Sequence, residues 1–152
     1  MLLTDLLAPE RIVVPMRAAT KEAVMRELAA AALPGAPAAH VEQVVAALKE
    51  REALLSTGIG DGIAIPHAKT PLVDRLLLAA GTTPEPVDYD ALDGRPADLF
   101  FLLLGPESAA TEHVKALGRI SRVLRKPGLC DRLRRAPDAA AFLREIADSE
   151  AG

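Results

Sequence analysis

The side chain with the most evident chemistry is the imidazole of His67, one of three histidines in this 152-residue chain. His67 directly follows Pro66, which closes the apolar run GIAIP (Gly62–Pro66), a run typical of a buried strand. Because proline cannot donate to a sheet ladder, it favours strand ends, and in α/β folds such ends reach exposed clefts. A neutral imidazole in a cleft is a nucleophile that can carry a covalent intermediate. The pattern leaves open whether His67 is reactive or only structural.

A second candidate is Arg51, which falls on the apolar stripe of a predicted helix together with Val44, Leu48 and Leu55. A charge on a core-facing stripe needs a partner, because an unpaired buried charge is costly. One interpretation is a salt bridge, or a side chain whose charged end reaches water at the edge of the core. The other is a fork of N–H donors directed at an anion, for which a guanidinium is better shaped than an ammonium.

A third candidate is His113, which shares one face of a later predicted helix with three apolar residues, Leu117, Ile120 and Leu124. It is either a hydrogen-bonded histidine at the edge of the core or a second imidazole at the mouth of the same site. A phosphoryl group on His67 would need cations or N–H donors around its oxygens, and Arg51 and His113 offer both kinds. Their spacing does not establish that the fold brings the three together.

The glycine-rich segment TGIGDG (Thr57–Gly62) suggests a phosphate-binding loop, but its place in the chain argues against one. In dinucleotide and P-loop sites the glycines follow a strand and open a helix, so that helix-terminal amides face the phosphate. Here they follow a helix and precede a strand, so we predict a tight turn that needs positive φ angles. Two roles stay open for the hydroxyls of Ser56 and Thr57: donors to a phosphate, or helix-end and turn residues.

The elements that must position these residues follow from the hydrophobic pattern. Helices are predicted from the Thr20 cap to about Leu33 and over about Ala39–Leu55, Ala109–Arg125, Gly128–Arg135 and Asp138–Ala147. Strands are predicted at Arg11–Val14, Gly62–Pro66, Asp74–Gly81 and Ala97–Gly105, with short extended pieces and a turn over Pro86–Pro96. Since helices lie at both ends and strands in the middle, the expected fold class is α/β. We expect a single-domain sandwich over residues 1–152, with a mixed central sheet and helices on both faces.

The composition argues against several classes of function. A net charge of −3 and a pI near 5.6 argue against nucleic-acid binding. No apolar run approaches the ~20 residues of a membrane span, and the N-terminus lacks the basic region of a signal peptide, so membrane insertion is not expected and a cytoplasmic location is. The single cysteine, Cys130, rules out an internal disulfide framework, and no short ligand spacing indicates a metal site. Cys130 is expected to be half-buried and His40 to lie on the surface.

The stretch REALLSTGIGDGIAIPHAK (Arg51–Lys69) resembles the active-site signature of the fructose/mannitol-type IIA proteins of the bacterial phosphotransferase system. The resemblance extends over nearly the whole chain. LLAPERIVV is similar to the opening of that family, and VDYDALDGRPADLFFLLLGP, with an EH pair before an apolar helix, is similar to its later half. The stretches DYDALDGRPADLFFLLL and LCDRLRRAPDAAAFL look most like the nitrogen-regulatory branch.

The resemblance implies a phosphotransferase component in which His67 accepts a phosphoryl group from a histidine of the small carrier protein HPr. It implies that Arg51 and His113 flank that group as the other catalytic residues, with no cofactor beyond the covalent phosphoryl group. Family members either pass the group to a IIB domain for sugar uptake or act as regulators of a target protein, and the resemblance favours the regulatory branch. The remaining alternative is a binding module with the same fold that is not phosphorylated, and the Pro-His pair argues against it.

Overall fold

The computed structural model of the chain describes residues 1–151. Its α-helices are α1 (Leu3–Leu6), α2 (Lys21–Ala32), α3 (Ala38–Glu52), α4 (Ala110–Leu124), α5 (Leu129–Arg135) and α6 (Ala139–Ala151). Its strands are β1 (Ile12–Val13), β2 (Gly58–Gly60), β3 (Ile63–Ala64), β4 (His67–Lys69), β5 (Leu77–Val87) and β6 (Ala97–Gly105). Single 3₁₀ turns at Pro9–Arg11 and Glu107–Ala109 precede β1 and α4. None of the helices in this described part is long and apolar enough to cross a membrane.

The six strands form one mixed sheet around β6, in the order β1-β5-β6-β3-β2, and β4 also pairs with β6. β5 is antiparallel to β6, whereas β3 and β4 are parallel to it and pair with it one after the other along its length. β1 is parallel to β5, and β2 closes the opposite edge antiparallel to β3. The mixed sheet expected from the sequence is confirmed.

β6 is covered on both faces because its side chains alternate between two apolar clusters. Leu99, Phe101 and Leu103 pack on the side of α1, α4, α5 and α6. Phe100, Leu102 and Leu104 pack on the side of α2 and α3. All six side chains are inaccessible to solvent, and burying one of this size stabilises a fold by roughly 2 kcal/mol. The expected arrangement of helices on both faces of the sheet is confirmed.

The predicted cap of α2 is also confirmed. The hydroxyl oxygen of Thr20 accepts the N–H of Ala23 at 3.2 Å, which satisfies one of the free donors at the start of the helix. Asp138 does the same for α6, because its carboxylate accepts the N–H of Ala141 at 2.8 Å. Side chains with short polar groups thus fix where these two helices begin.

The predicted end of the second helix at Leu55 is wrong, since α3 ends at Glu52. The carboxylate of Glu52 accepts the N–H of Thr57 at 3.0 Å, and this hydrogen bond closes a turn in place of another helical turn. Leu55 therefore lies beyond the helix and is 57% exposed. The stripe on which Arg51 lies consists of the fully buried Val44 and Leu48 only.

The strand predicted over Asp74–Gly81 begins and ends later, at Leu77 and Val87. It includes Pro84 and also Pro86, the first residue of the stretch predicted to hold short extended pieces and a turn. Proline is tolerated here because the pairing of β5 with β6 is irregular between Thr82 and Val87, so no regular ladder donor is lost. β4, the short strand that begins at His67, was not predicted as a separate element.

Gly81 marks a close approach between β1 and β5 that tests this packing. A Cβ on Gly81 would lie 2.6 Å from the carbonyl oxygen of Val13 and 2.7 Å from the sulfur of Met16. We expect Gly81→Ala to lower the free energy of unfolding by about 1–3 kcal/mol, because backbone must move. Gly118→Ala is the matched control: it meets only the guanidinium of Arg122 at 3.4 Å, and alanine favours a helix by up to about 1 kcal/mol. Equal denaturant midpoints for both variants would contradict the packing described here.

Candidate functional site

The three sequence-predicted residues line one cavity of about 610 Å³ between α3, β4 and α4. Arg51 comes from the last turn of α3, His67 from the first residue of β4, and His113 from the first turn of α4. The fold therefore brings together residues that lie far apart in the sequence. Lys69 lines the same cavity.

His67 is oriented by the pairing of β4 with the central strand. The register places His67 opposite Leu103, whose N–H donates to the carbonyl of Pro66 at 3.0 Å. Ala68 is buried in the cluster on the α3 side of the sheet. Because side chains alternate along a strand, His67 and Lys69 face the other side, toward α4.

The two ring nitrogens of His67 have different environments. Nδ1 lies 2.8 Å from the carbonyl oxygen of Ile65, and a carbonyl can only accept. In the neutral ring the proton therefore lies on Nδ1, and the lone pair is on Nε2. Burial lowers the pKa of His67, and the positive charge of Arg51 lowers it further, against the opposing effects of the Ile65 carbonyl and the negative charge of Glu52. The ring is thus neutral at pH 7, with Nε2 as its nucleophilic atom.

His113 is a buried imidazole next to His67. It is 4% exposed, and the two ring centroids are 5.7 Å apart with the planes at 60°. Burial lowers its pKa to about 4, with smaller contributions from His67 when that ring is protonated and from the positive charge of Lys69. Its Nδ1 is buried without a hydrogen-bond partner among residues 1–151. Since a buried N–H without an acceptor is costly, the proton belongs on Nε2, where the neutral ring can donate it.

Arg51 is held in place by its own helix end. One guanidinium N–H₂ group donates to the carbonyl of Leu55 at 2.8 Å. No carboxylate forms an ion pair with Arg51 in the described part of the chain, so the salt bridge considered above is absent there. The other N–H groups of the guanidinium remain for an anion in the cavity.

Lys69 is a site residue that the sequence reasoning missed. The signal was present, because residues two apart on a strand share a face and Lys69 follows His67 by two positions. Lys69 is exposed, and its ammonium adds a second positive charge to that of Arg51. Glu50 and Glu107 lie on the rim of the same cavity, so its electrostatic character is mixed at the edge and positive around His67.

The hydroxyls of Ser56 and Thr57 serve the turn rather than the cavity. Ser56 donates to the carbonyl of Tyr89 at 3.2 Å and accepts the N–H of Gly58, while Thr57 donates to the carboxylate of Glu52. The predicted turn with positive φ is confirmed at Gly60 and Gly62, at 99° and 79°. His40 is exposed and Cys130 half-buried, as predicted.

The chain is similar to known proteins over nearly its whole length. Residues 5–149 match the family described as phosphoenolpyruvate-dependent sugar phosphotransferase system, EIIA 2, and the chain belongs to that family. It is 40% identical over 147 residues to a nitrogen regulatory protein of Bradyrhizobium diazoefficiens, covering 95% of this chain and 94% of that one.

A second relative is the fructose-specific EIIABC component of Bacillus subtilis, 35% identical over 143 residues, covering 94% of this chain and 22% of that one. Among solved structures, the nitrogen regulatory protein IIA-Ntr of Neisseria meningitidis superposes with a TM-score of 0.85 at 30% identity, covering 95% of this chain and 98% of that one. The resemblance found in the sequence, including that to the nitrogen-regulatory branch, is confirmed.

The lowered pKa of His113 predicts a pH-dependent stability. The folded value of about 4 lies below the ordinary 6.5, so the unfolded chain binds more protons between them. The stability that neutral His113 contributes is therefore present above pH 6.5 and lost as pH falls toward 4. We expect His113→Gln to lose less stability than the parent protein between about pH 7.5 and 5, measured by urea unfolding.

His40→Gln is the control, because it replaces an exposed histidine and should retain the pH dependence of the parent protein. If the stability of His113→Gln depends on pH as that of the parent protein does, burial does not lower the pKa of His113 as described.

Proposed function

We propose that this protein is a phosphohistidine carrier of the phosphotransferase system in which His67 takes up a phosphoryl group from an HPr-like carrier protein. The observation that carries the proposal is one cavity lined by His67, Arg51, Lys69 and His113, in which the contact of His67 Nδ1 with the carbonyl of Ile65 leaves the lone pair on Nε2. Membership in the EIIA type 2 family supports the same chemistry.

The proposed step is a reversible, in-line displacement between two histidines. The lone pair of His67 Nε2 attacks phosphorus, a P–N bond forms there, and the P–N bond to the donor ring breaks with its electron pair returning to the donor nitrogen. The proton on Nδ1 stays hydrogen-bonded to the carbonyl of Ile65, so no general base is required. Because both partners are phosphoimidazoles, the group moves between states of similar energy.

The phosphoryl oxygens carry the charge that the site must stabilise. Arg51 and Lys69 supply two cations, and the neutral ring of His113 donates one N–H, which together cover the kinds of group that such an anion requires. Arg51 is held by the carbonyl of Leu55 and His113 is buried before the group arrives, so these two donors need little reorganisation during transfer. This makes Arg51 and His113 the other catalytic residues, with Lys69 as an additional one.

The carrier has to bring its own histidine to the cavity, so its surface must cover the rim. Two rim residues are apolar and strongly exposed, Leu54 at 81% and Val114 at 70%, and Leu55 beside them is 57% exposed. Exposed apolar side chains around a reactive group favour a protein partner. The contact is transient and at the small end of interface sizes.

The state of His67 is proposed to act mainly as a regulatory signal on a target protein. The identity to a nitrogen regulatory protein over nearly its full length supports this branch. The second candidate is transfer onward to a IIB domain for fructose- or mannitol-type sugar uptake, which the similarity to a fructose-specific component favours. A module with this fold that is never phosphorylated is the non-enzymatic alternative.

Labelled phosphoenolpyruvate, with enzyme I and HPr, tests the central step. We expect the protein to acquire acid-labile label, His67→Ala to acquire none, and His40→Ala to be labelled like the parent protein because His40 is exposed outside the cavity. Nitrogen-15 NMR of the labelled protein should locate the phosphoryl group on Nε2. Label that persists on His67→Ala would disprove the assigned site, and an unlabelled parent protein would favour the binding module.

The same labelled protein separates the two branches. Addition of membranes with fructose or mannitol should leave the label in place if the protein is regulatory, and should drain it if the protein serves sugar uptake.

Single-turnover rates test the residues around the phosphoryl group. We expect His113→Ala to accept label on the order of 10²-fold more slowly, as for loss of one donor to a transition-state oxyanion. Arg51→Gln should be slower by about 10³-fold, because a full charge and several donors are lost. Both should retain the circular dichroism spectrum of the parent protein. An unchanged rate for either variant would show that its assigned role is wrong.

A further inference from the structure

Glu52, the last residue of α3, has a carboxylate that is buried and fully engaged. Its side chain is 7% exposed. The backbone N–H of Thr57 donates to both carboxylate oxygens at 3.0 Å, and the Thr57 hydroxyl donates to one of them. These bonds close the turn formed by residues 53–57, which leads from α3 into β2. Glu52 thus holds the C-terminal end of the turn in place through its hydrogen bonds to Thr57.

The charge of Glu52 is balanced from another helix. Lys21, the first residue of α2, places its ammonium 2.8 Å from the carboxylate and 4.9 Å from the ring centroid of the buried Tyr89. Burial alone would raise the pKa of Glu52, but hydrogen bonds from Lys21 and Thr57 outweigh it, and the pKa is lowered. The carboxylate is therefore ionised, and the anchor of the turn is present, at neutral pH.

The same turn holds Arg51 in the cavity. The guanidinium of Arg51 donates to the carbonyl of Leu55, in the middle of the turn, at 2.8 Å. Leu54 and Leu55 are 81% and 57% exposed, so packing does little to fix the turn. The position of the Leu55 carbonyl, and with it that of the guanidinium, depends on the hydrogen bonds between Glu52 and Thr57.

We propose that Glu52 is a positioning residue for phosphoryl transfer: through Thr57 it fixes the turn whose Leu55 carbonyl holds the Arg51 guanidinium beside His67. The inference rests on the proposed phosphoryl transfer to His67. Glu52 itself does not line the cavity and touches no reacting group. The charge of Glu52 also has a small direct effect on the pKa of His67. Most of its effect on the rate should nevertheless operate through Arg51 and be lost when Arg51 is absent.

A double-mutant cycle tests this dependence. Glu52→Gln keeps the shape of the side chain but removes the charge, and should slow labelling of His67 by roughly 10- to 100-fold, as misplacement of a catalytic group does. In an Arg51→Gln background the same substitution should change the rate by less than about threefold, since coupled residues are not additive. An equal loss in both backgrounds would overturn the proposal, because it would indicate general structural damage. An unchanged rate in the parent background would overturn it as well.

Glu42→Gln is the matched control, since Glu42 lies on the same helix but at the surface, where its side chain is 54% exposed. Its carboxylate pairs with the guanidinium of Arg26 at 2.6 Å. This variant should label at the parent rate. Should Glu52→Gln fail to fold, Thr57→Val makes a smaller change, because it removes only the hydroxyl. Thr57→Val should slow labelling in the parent background but not with Arg51→Gln, and Thr57→Ser should restore the rate. Failure of that pattern would likewise overturn the proposal.

Hydrogen exchange separates failure of this inference from failure of the proposed function. The amides of residues 54–57 should exchange faster in Glu52→Gln than in the parent protein or in Glu42→Gln, whether or not the protein is ever labelled. Exchange in Glu52→Gln as slow as in the parent protein would refute the anchoring role. Faster exchange in Glu52→Gln, together with a parent protein that accepts no label, would refute only phosphoryl transfer.

Discussion

The pairing of β4 with β6 is the interaction on which the site depends. β6 is a nine-residue strand buried on both faces, so its register cannot shift without exposing one of two apolar clusters. β4 is only three residues long and takes its position from this strand, with His67 opposite Leu103 and Lys69 opposite Gly105. His67 is thus placed by a strand that is buried on both faces of the sheet.

Gly105 at the end of β6 completes this arrangement. A Cβ there would lie 2.4 Å from a methyl carbon of Leu76 and 3.5 Å from Nδ1 of His113. Only a residue without a side chain lets Leu76 and the ring of His113 approach the strand end together. The close packing buries His113 and orients its polar edge, and with the positive charges nearby it keeps the ring neutral. Packing and electrostatics therefore act in the same direction: both imidazoles stay uncharged in a field that favours an arriving anion.

Most of the fold could be predicted from the sequence because its strongest signals are local. The apolar run of β6 and the periodic faces of α2 and α4 each indicate their element without outside information. The predicted end of α3 and the predicted extent of β5 were wrong, and each error has a physical reason. Glu52 replaces helical hydrogen bonds with a bond to Thr57, and the pairing irregularity of β5 tolerates prolines that ordinarily indicate a turn. Both depend on contacts that a one-dimensional pattern does not contain.

The site was predictable in its residue types but not in its geometry. The Pro-His pair and the charge on an apolar stripe identified His67 and Arg51, yet their proximity depends on three separate elements meeting at one sheet edge. Strand periodicity predicts that Lys69 faces the cavity with His67, but only once β4 is known to be a strand.

The proposed transfer between two histidines is close to symmetric, and this has a consequence for specificity. A cavity that stabilises the transferring group does so equally for the forward and reverse directions of one step, because both pass through one transition state. The same side chains contact the phosphoryl group whichever partner histidine supplies or accepts it. In the proposed transfer, Arg51, Lys69 and His113 therefore contribute to the rate with every partner and do not select the destination. That selection belongs to the rim, where Leu54 and Val114 are exposed between Glu50 and Glu107. A regulatory protein and a transport component with the same cavity would then differ in the surface around it, through the partners that surface admits.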